Sequence, residues 1–479
     1  MSCRTPVHGH TPWYPPTWAS SPFRYILRTL LCVVLFLCHA TNVSAQSTDR
    51  DTLRLTIRDA VLYSVNHNHD LAAAWLEVRR ADEMVNEAWG TILPNINVQG
   101  TYTRTLKKPV FFLPDFSNLS SGKITPIEIG ATHSMDMGFR ASQILFNSAV
   151  FVGVGTASTY ALAARDVYAA QELATITNAR KAFYNVLVAH AVLGLMRQNL
   201  AYAEENLRTV RLLAEQGLVA EYDLLRSQVS VSNLTPEVIQ AENGYTLSLS
   251  SLKISLGIPF DKPAAVNDSL FFEIVQDSLM ENAVSMTVRD NPALSALRRQ
   301  TEVNDAIVSV ERSAYLPTLA AFGNYQLVSQ NNGFKFSTND FIGSSQVGIT
   351  LSMNIFNGFQ TNARVERATL EFRKSQEQLT SNELAMQTSA EATVGRLRRA
   401  ALRIAAQKQT VEQAERGYKI ATTRYNSGAG TLLEVNDARL ALTTAKVNRI
   451  QALYDYVVAS AELDQMLGRV PAYLPRAEE

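Results

Sequence analysis

The sequence predicts an α+β membrane protein in which one structural unit is written twice, each unit giving two membrane strands and two very long coiled helices. Three observations carry that prediction: strands whose two faces differ in polarity, self-similarity at a nearly fixed offset, and helical runs too long for an ordinary globule.

The stretch Gln346 to Gly358, QVGITLSMNIFNG, alternates apolar Val347, Ile349, Leu351, Met353 and Ile355 with polar residues or glycine, the pattern of a strand with two different faces. A similar string, Met135 to Asn147 (MDMGFRASQILFN), places Met135, Met137, Phe139 and Ala141 against Asp136, Gly138, Arg140 and Ser142. Partner strands run through Ile96, Val98 and Tyr102, and through Leu319, Ala321 and Tyr325. Ten of the 19 phenylalanines fall between Pro94 and Asn147 or between Pro317 and Asn357, a concentration that fits an aromatic-flanked barrel wall. A soluble sandwich with one dry face shows the same alternation. Strand length and the long helices around these strands favour the membrane.

The repeat is explicit in the residues. Asn68 to Leu71 (NHDL) matches Asn291 to Leu294 (NPAL), and Leu93-Pro94 matches Leu316-Pro317, both at an offset of 223. Phe146-Asn147 matches Phe356-Asn357 at 210, while Gly217 with Gly428 and Leu256-Gly257 with Leu467-Gly468 lie at 211, so the first copy has the longer strand loops. The first unit covers residues 46–257, with strands at about 95–107 and 132–147 and helices at about 150–216 and 219–256. A Pro259- and Pro263-containing linker at 258–274 follows. The second unit covers 275–468, with strands at about 318–330 and 344–357, helices at about 360–426 and 431–467, and a tail at 469–479.

From Thr361 to Tyr425 there is no proline, and from Thr431 to Met466 neither proline nor glycine. A straight helix over the first run extends ~100 Å. Heptad spacing through Ile176, Ala179, Phe183, Val186, His190 and Leu193, and through Leu440, Thr443, Val447, Ile450, Tyr454 and Val457, predicts coiled-coil seams. Pro236 predicts a kink or break in the second helix of the first unit.

The 479 residues are 46% apolar, enough for a sizeable core, and 44 basic residues balance 44 acidic ones. No excess of positive charge exists to release counterions from a nucleic acid. Arg4, Arg24 and Arg28 precede an apolar core from Thr29 to Cys38, too short to span a bilayer, and Val43-Ser44-Ala45 offers small residues for cleavage. Residues 1–45 therefore read as a secretory signal peptide with a long n-region, which suggests a misplaced start codon. Leu37 before Cys38 argues against lipidation. All three cysteines, Cys3, Cys32 and Cys38, lie in that segment, so disulfides cannot staple the mature chain. Losing the three arginines leaves 41 basic against 44 acidic residues, a faintly acidic exported protein of the periplasm or outer membrane.

Catalytic signals are absent: the sequence has no HExxH, GxSxG, P-loop or strand-preceded GxGxxG. His67 and His69 beside Asp70 sit at alternate positions that point apart on a helix and read as solvated helix-end residues rather than metal ligands. His190 reads as a packing or lumen residue. No enzyme, cofactor or metal site is expected.

Over nearly the whole mature length the chain resembles the TolC-type outer membrane efflux protein family. The resemblance rests on the duplicated layout, the strand endings Phe146-Asn147 and Phe356-Asn357, and the turns GLVAEYDLLRSQ (Gly217 to Gln228) and GAGTLLEVNDAR (Gly428 to Arg439). It implies a homotrimer in which three sets of four strands close a 12-stranded β-barrel in outer membrane lipid, continued by a periplasmic α-helical barrel. The implied function is the passive exit duct of a tripartite efflux or type I secretion system, with a periplasmic adaptor (membrane fusion) protein and an inner-membrane pump of RND, ABC or similar type as partners.

The resemblance also implies site residues. Glu434 and Asp437 map to the carboxylates that ring the periplasmic aperture; a solvated acidic pair in the first turns of a helix is the alternative. Asp223 and Tyr425 map to a contact that closes the tip, while its arginine partner position is Gly430, so closure is expected to be weaker or differently built. Gly217, Leu218, Val219, Gly428, Thr431 and Leu432 form the turns expected to meet the adaptor. An exported coiled-coil periplasmic adaptor or structural protein with a small β head is the second reading; it explains the helices and leaves the face alternation and duplication unexplained.

Overall fold

The computed structural model describes residues 52–114, 124–268 and 273–471; the expected signal peptide and most of the expected tail lie outside them. In chain order the strands are β1 (Leu53–Leu55), β2 (Asn95–Arg104), β3 (Val110–Pro114), β4 (Ile124–Glu128), β5 (His133–Phe146), β6 (Ala264–Val266), β7 (Thr318–Asn331) and β8 (Ile342–Ser352). The helices are α1 (Ile57–His67), α2 (His69–Gly90), α3 (Ser148–Glu215), α4 (Glu221–Leu256), α5 (Asp277–Glu281), α6 (Ala283–Asp290), α7 (Pro292–Arg312), α8 (Gln360–Asn426) and α9 (Leu432–Met466).

Four strands form one antiparallel sheet in the order β2-β5-β7-β8. Register sets its two faces. Val98, Phe139 and Tyr325 stand in one row and Ile96, Ala141 and Val347 in another, all on one side. Asn97, Arg140, Asn324 and Gln346 line the other side with Gln99 and Gln326. Val98 is 84% exposed and Val347 89%, so the apolar side has no cover from the rest of the chain. On the polar side the Phe322 ring lies over Gly348, where an added Cβ would come within 2.7 Å of it, so the glycine makes room for the ring. β8 stops at Ser352, short of the expected end near Asn357, because its partner ladder begins at Thr318, just after Pro317. Proline has no N–H to extend the pairing. The longer first-copy loop contains the β3–β4 hairpin, which the sequence pattern did not reveal.

Both Phe-Asn pairs mark the passage from strand to long helix. The Asn147 side chain caps α3 by accepting from the Ala149 N–H (3.0 Å), and the Asn357 oxygen accepts from the Thr361 N–H (3.4 Å) in α8. The second copy inserts Gly358 and Phe359, both left-handed (φ 64° and 63°), before the helix. Phe146 with Phe151 and Phe356 with Phe359 form ring pairs beside these junctions, an aromatic band at one end of the apolar face.

The other repeated residues also meet. Asn68 caps α2 and its amide donates to the Ser255 carbonyl; Asn291 caps α7 and donates to the Met466 carbonyl. Each contact ties the helix preceding the strands to the end of its own copy's last helix. The linker strand β6 pairs in parallel with β1, and α1, opened by a Thr56–Asp59 capping box, packs against α3 and α4. There Leu55, Val61, Ile176, Phe183, Val186, Leu252 and Leu256 form a buried cluster.

The helices α3 and α8, with 68 and 67 residues, each run ~100 Å. The expected α3 seam is buried at Ile176, Ala179, Phe183, Val186 and Leu193, while His190 is exposed. In α9 the seam differs from expectation: of the predicted stripe Val457 alone is buried, and the inward positions are Ala445, Ala452 and Ala459, seven residues apart, with Tyr456 and Leu463. Alanines let neighbouring backbones approach closely, so the smaller side chains, not the larger ones, take the interface. Pro236 does not break α4, which is helical across it. The carbonyl it leaves without a donor belongs to the exposed Ser232 and can turn to water. Among the described residues no helix is long and apolar enough to cross a membrane, and no cluster of His, Cys, Asp or Glu suits a metal ion. His67 ends α1 stacked on Tyr63, and His69 begins α2.

Candidate functional site

The predicted site residues fall on the two turns that close the helical hairpins α3/α4 and α8/α9. Both turns are built alike. Gly217 adopts φ 71°, its N–H donates to the Ala214 carbonyl (3.0 Å), and the Leu218 N–H donates to Leu213 (2.9 Å). Gly428 adopts φ 74°, its N–H donates to Tyr425 (3.0 Å), and the Ala429 N–H donates to Arg424 (2.9 Å). Left-handed glycine with these two bonds satisfies the last carbonyls of each helix, which explains why both copies keep a glycine there.

The entries to the following helices differ. Thr431 caps α9, its hydroxyl accepting from the Glu434 N–H at 3.3 Å, whereas Ala220 gives α4 no side-chain cap and Glu221 and Asp223 sit in its first turn. Carboxylates in a first turn face the positive end of the helix dipole. Leu218 is 67% exposed and Thr431 is exposed, but Leu432 is only 8% exposed, so Leu433 rather than Leu432 presents an apolar side chain at the second turn.

Glu434 and Asp437 are both exposed on the first turns of α9. The Arg424 guanidinium lies 3.6 Å from the Glu434 carboxylate and donates to the Ala429 carbonyl at 3.1 Å, linking the end of α8 to the start of α9. The sequence reading missed Arg424; the usable signal was a cation in the last turn of one helix facing an acid in the first turn of the next. Burial, reinforced by the nearby Asp223 charge, pushes the Tyr425 hydroxyl pKa up. The structure thus brings Asp223 of the first hairpin near Tyr425 of the second, with no hydrogen bond between them among the described residues. Gly430 packs tightly: a Cβ there would stand 3.0 Å from the Arg424 Cβ and 3.1 Å from the Tyr425 nitrogen. An arginine at this position would require the turn to shift.

The profile of the family described as Outer membrane efflux protein matches residues 64–258 and 283–469, one segment for each copy of the repeat. The chain belongs to this family. As an outer membrane efflux protein it resides in the outer membrane and acts as a channel. Outer membrane protein TolC of Vibrio cholerae is 24% identical over 400 residues, 81% of this chain and 85% of the relative. Cobalt-zinc-cadmium resistance protein CzcC of Cupriavidus metallidurans is 21% identical over 417 residues, 87% of this chain and 90% of the relative. The Campylobacter jejuni CmeC outer membrane channel shares the fold, with a TM-score of 0.72 at 16% identity over 88% of this chain and 87% of its own. Family membership sets aside the exported adaptor reading, and with it the soluble sandwich. The uncovered apolar face of the sheet suits the lipid side of a barrel wall and the polar face its lumen.

Proposed function

We propose that this efflux channel works as a homotrimer, the outer exit duct of a tripartite efflux or secretion assembly, passive itself and driven by an inner-membrane pump through a periplasmic adaptor. The observation that carries the reading is the four-stranded sheet whose edges, β2 and β8, are unpaired among the described residues, and its bare apolar face. Lipid tolerates no open edge, and four strands enclose no pore, so closure requires further copies. Three copies supply twelve strands, and six long hairpins continue the wall below them.

In this reading the turns lie at the periplasmic end. Glu434 and Asp437 from three subunits set the aperture, Asp223 and Tyr425 hold its closed form, and the exposed Leu218 and Thr431, with the half-buried Val219, receive the adaptor beside Gly217 and Gly428. The buried Leu432 supports that surface from below. Native mass measurement of the detergent-extracted protein tests the assembly: a trimer is expected, and a stable monomer or dimer overturns it.

A further inference from the structure

The two helical hairpins are bolted together along α3 and α9. Moving toward the turns, the polar ties are Arg180–Asp464 (2.8 Å), Lys181–Glu462 (2.7 Å) and Thr443–Asn199 (3.2 Å). The final such tie among the described residues is made by Arg439. Its guanidinium carbon stands 5.2 Å from the centre of the Tyr202 ring on α3 and 5.6 Å from that of Tyr418 on α8, and Nη2 donates to the Tyr418 hydroxyl at 3.2 Å. Its Nε is buried without a partner.

We propose that Arg439 is a latch that holds the second hairpin against the first just above the inner opening, and so positions the aperture carboxylates in the closed form. A guanidinium is flat and weakly hydrated, so it accepts an aromatic ring on each face, which an ammonium does not. Tyr418 belongs to the same hairpin as Arg439 and travels with it. Tyr202 belongs to the other. Any displacement of α8/α9 away from α3/α4 therefore keeps the Tyr418 hydrogen bond and breaks the Tyr202 contact, which makes that contact the releasing one. Beyond it toward the turns, Arg424–Glu434 ties α8 to α9 within one hairpin, and the approach of Asp223 to Tyr425 joins the two hairpins without a hydrogen bond among the described residues.

This inference rests on the conduit reading above. The test is closed-state current through single trimers in planar bilayers for the wild type, Arg439→Ala, Arg439→Lys, Tyr202→Leu and the Arg439→Ala/Tyr202→Leu double variant, with trimer integrity read by native mass. Arg439→Ala and Tyr202→Leu are each expected to raise the resting current about threefold, the scale of one partly exposed cation–π contact. Arg439→Lys should restore part of the closure. The double variant should match either single variant, because both remove the same contact. Intact trimers with unchanged resting current, or a double variant whose effect is the product of the singles, overturn the latch. Should Arg439→Ala not assemble, Tyr202→Leu alone decides by the same criterion. Absence of any conductance from the wild type refutes the conduit reading instead.

Discussion

The Asn68 amide donates to the Ser255 carbonyl at 3.0 Å, and two residues later Gly257 turns left-handed (φ 74°) against the His67 carbonyl. A Cβ at Gly257 would stand 2.2 Å from that oxygen, whereas Gly217, also left-handed, has open space around it. The Gly217→Ala variant therefore costs only backbone strain, about 1 kcal/mol, and Gly257→Ala adds a backbone clash for a loss of roughly 3 kcal/mol or more. Gly468, whose Cβ would meet the Asp290 carbonyl at 2.5 Å, should behave like Gly257. Thermal melting of detergent-solubilised protein should rank Gly257→Ala and Gly468→Ala well below Gly217→Ala; equal melting temperatures would contradict the packing.

Glu462 on α9 accepts from Lys181 of α3 (2.7 Å) and from Arg396 of α8 (2.6 Å), joining three long helices. Burial raises its carboxyl pKa, but the hydrogen bonds and charges of Lys181 and Arg396 outweigh burial and hold it below the usual carboxylate range. A carboxyl depressed in the folded state contributes stability at pH above its unfolded value, and that contribution is lost as pH falls through the folded value. The melting difference between wild type and Glu462→Gln should be constant at about pH 6 to 8 and shrink below about pH 4.5. A difference independent of pH would show that the three side chains act by packing.

The two faces of the sheet give a paired test. Arginine at Val347, on the apolar side in mid-strand, should cost about 2–4 kcal/mol of folding in lipid, while arginine at the adjacent Gln346, on the lumen side, should cost little. Folding titrations into phospholipid vesicles measure both. Similar costs at the two positions would invalidate the face assignment.

How much of this was legible in the sequence depended on the range of the chemistry. The Asn68/Asn291 and Gly257/Gly468 repeats were visible because capping and left-handed turns demand particular residue types locally. Their mutual contact was not visible, since it joins residues 187 apart in the chain. The Ala445, Ala452, Ala459 seam was passed over because hydrophobic ranking favours the larger Leu440 and Ile450, while close helix approach favours the smaller residue. Arg424 and Arg439 escaped notice for a third reason: each is an ordinary exposed-type residue on a polar helix, and only the neighbouring helix supplies the carboxylate or the ring that gives it a role.

The aperture makes the last prediction. Asp437 is exposed with no ion pair among the described residues, and Glu434 shares its carboxylate with Arg424 at 3.6 Å. In the proposed trimer, three copies of this pair around one axis would repel one another, and a divalent cation between them would relieve the repulsion. Magnesium or calcium added on the periplasmic side of a planar bilayer should block the current, and Glu434→Ala/Asp437→Ala should remove most of that block. Glu412, exposed on α8, provides the control, and its replacement by alanine should leave the block nearly intact. Arg424 sharpens the test because its removal acts in the opposite sense. Arg424→Ala withdraws the cation that partly neutralises Glu434, so block should occur at severalfold lower divalent concentration than in the wild type. Loss of block in Arg424→Ala would mean that this arginine builds the ring's geometry rather than screening its charge, and persistence of block in the double alanine variant would place the cation site elsewhere in the tunnel.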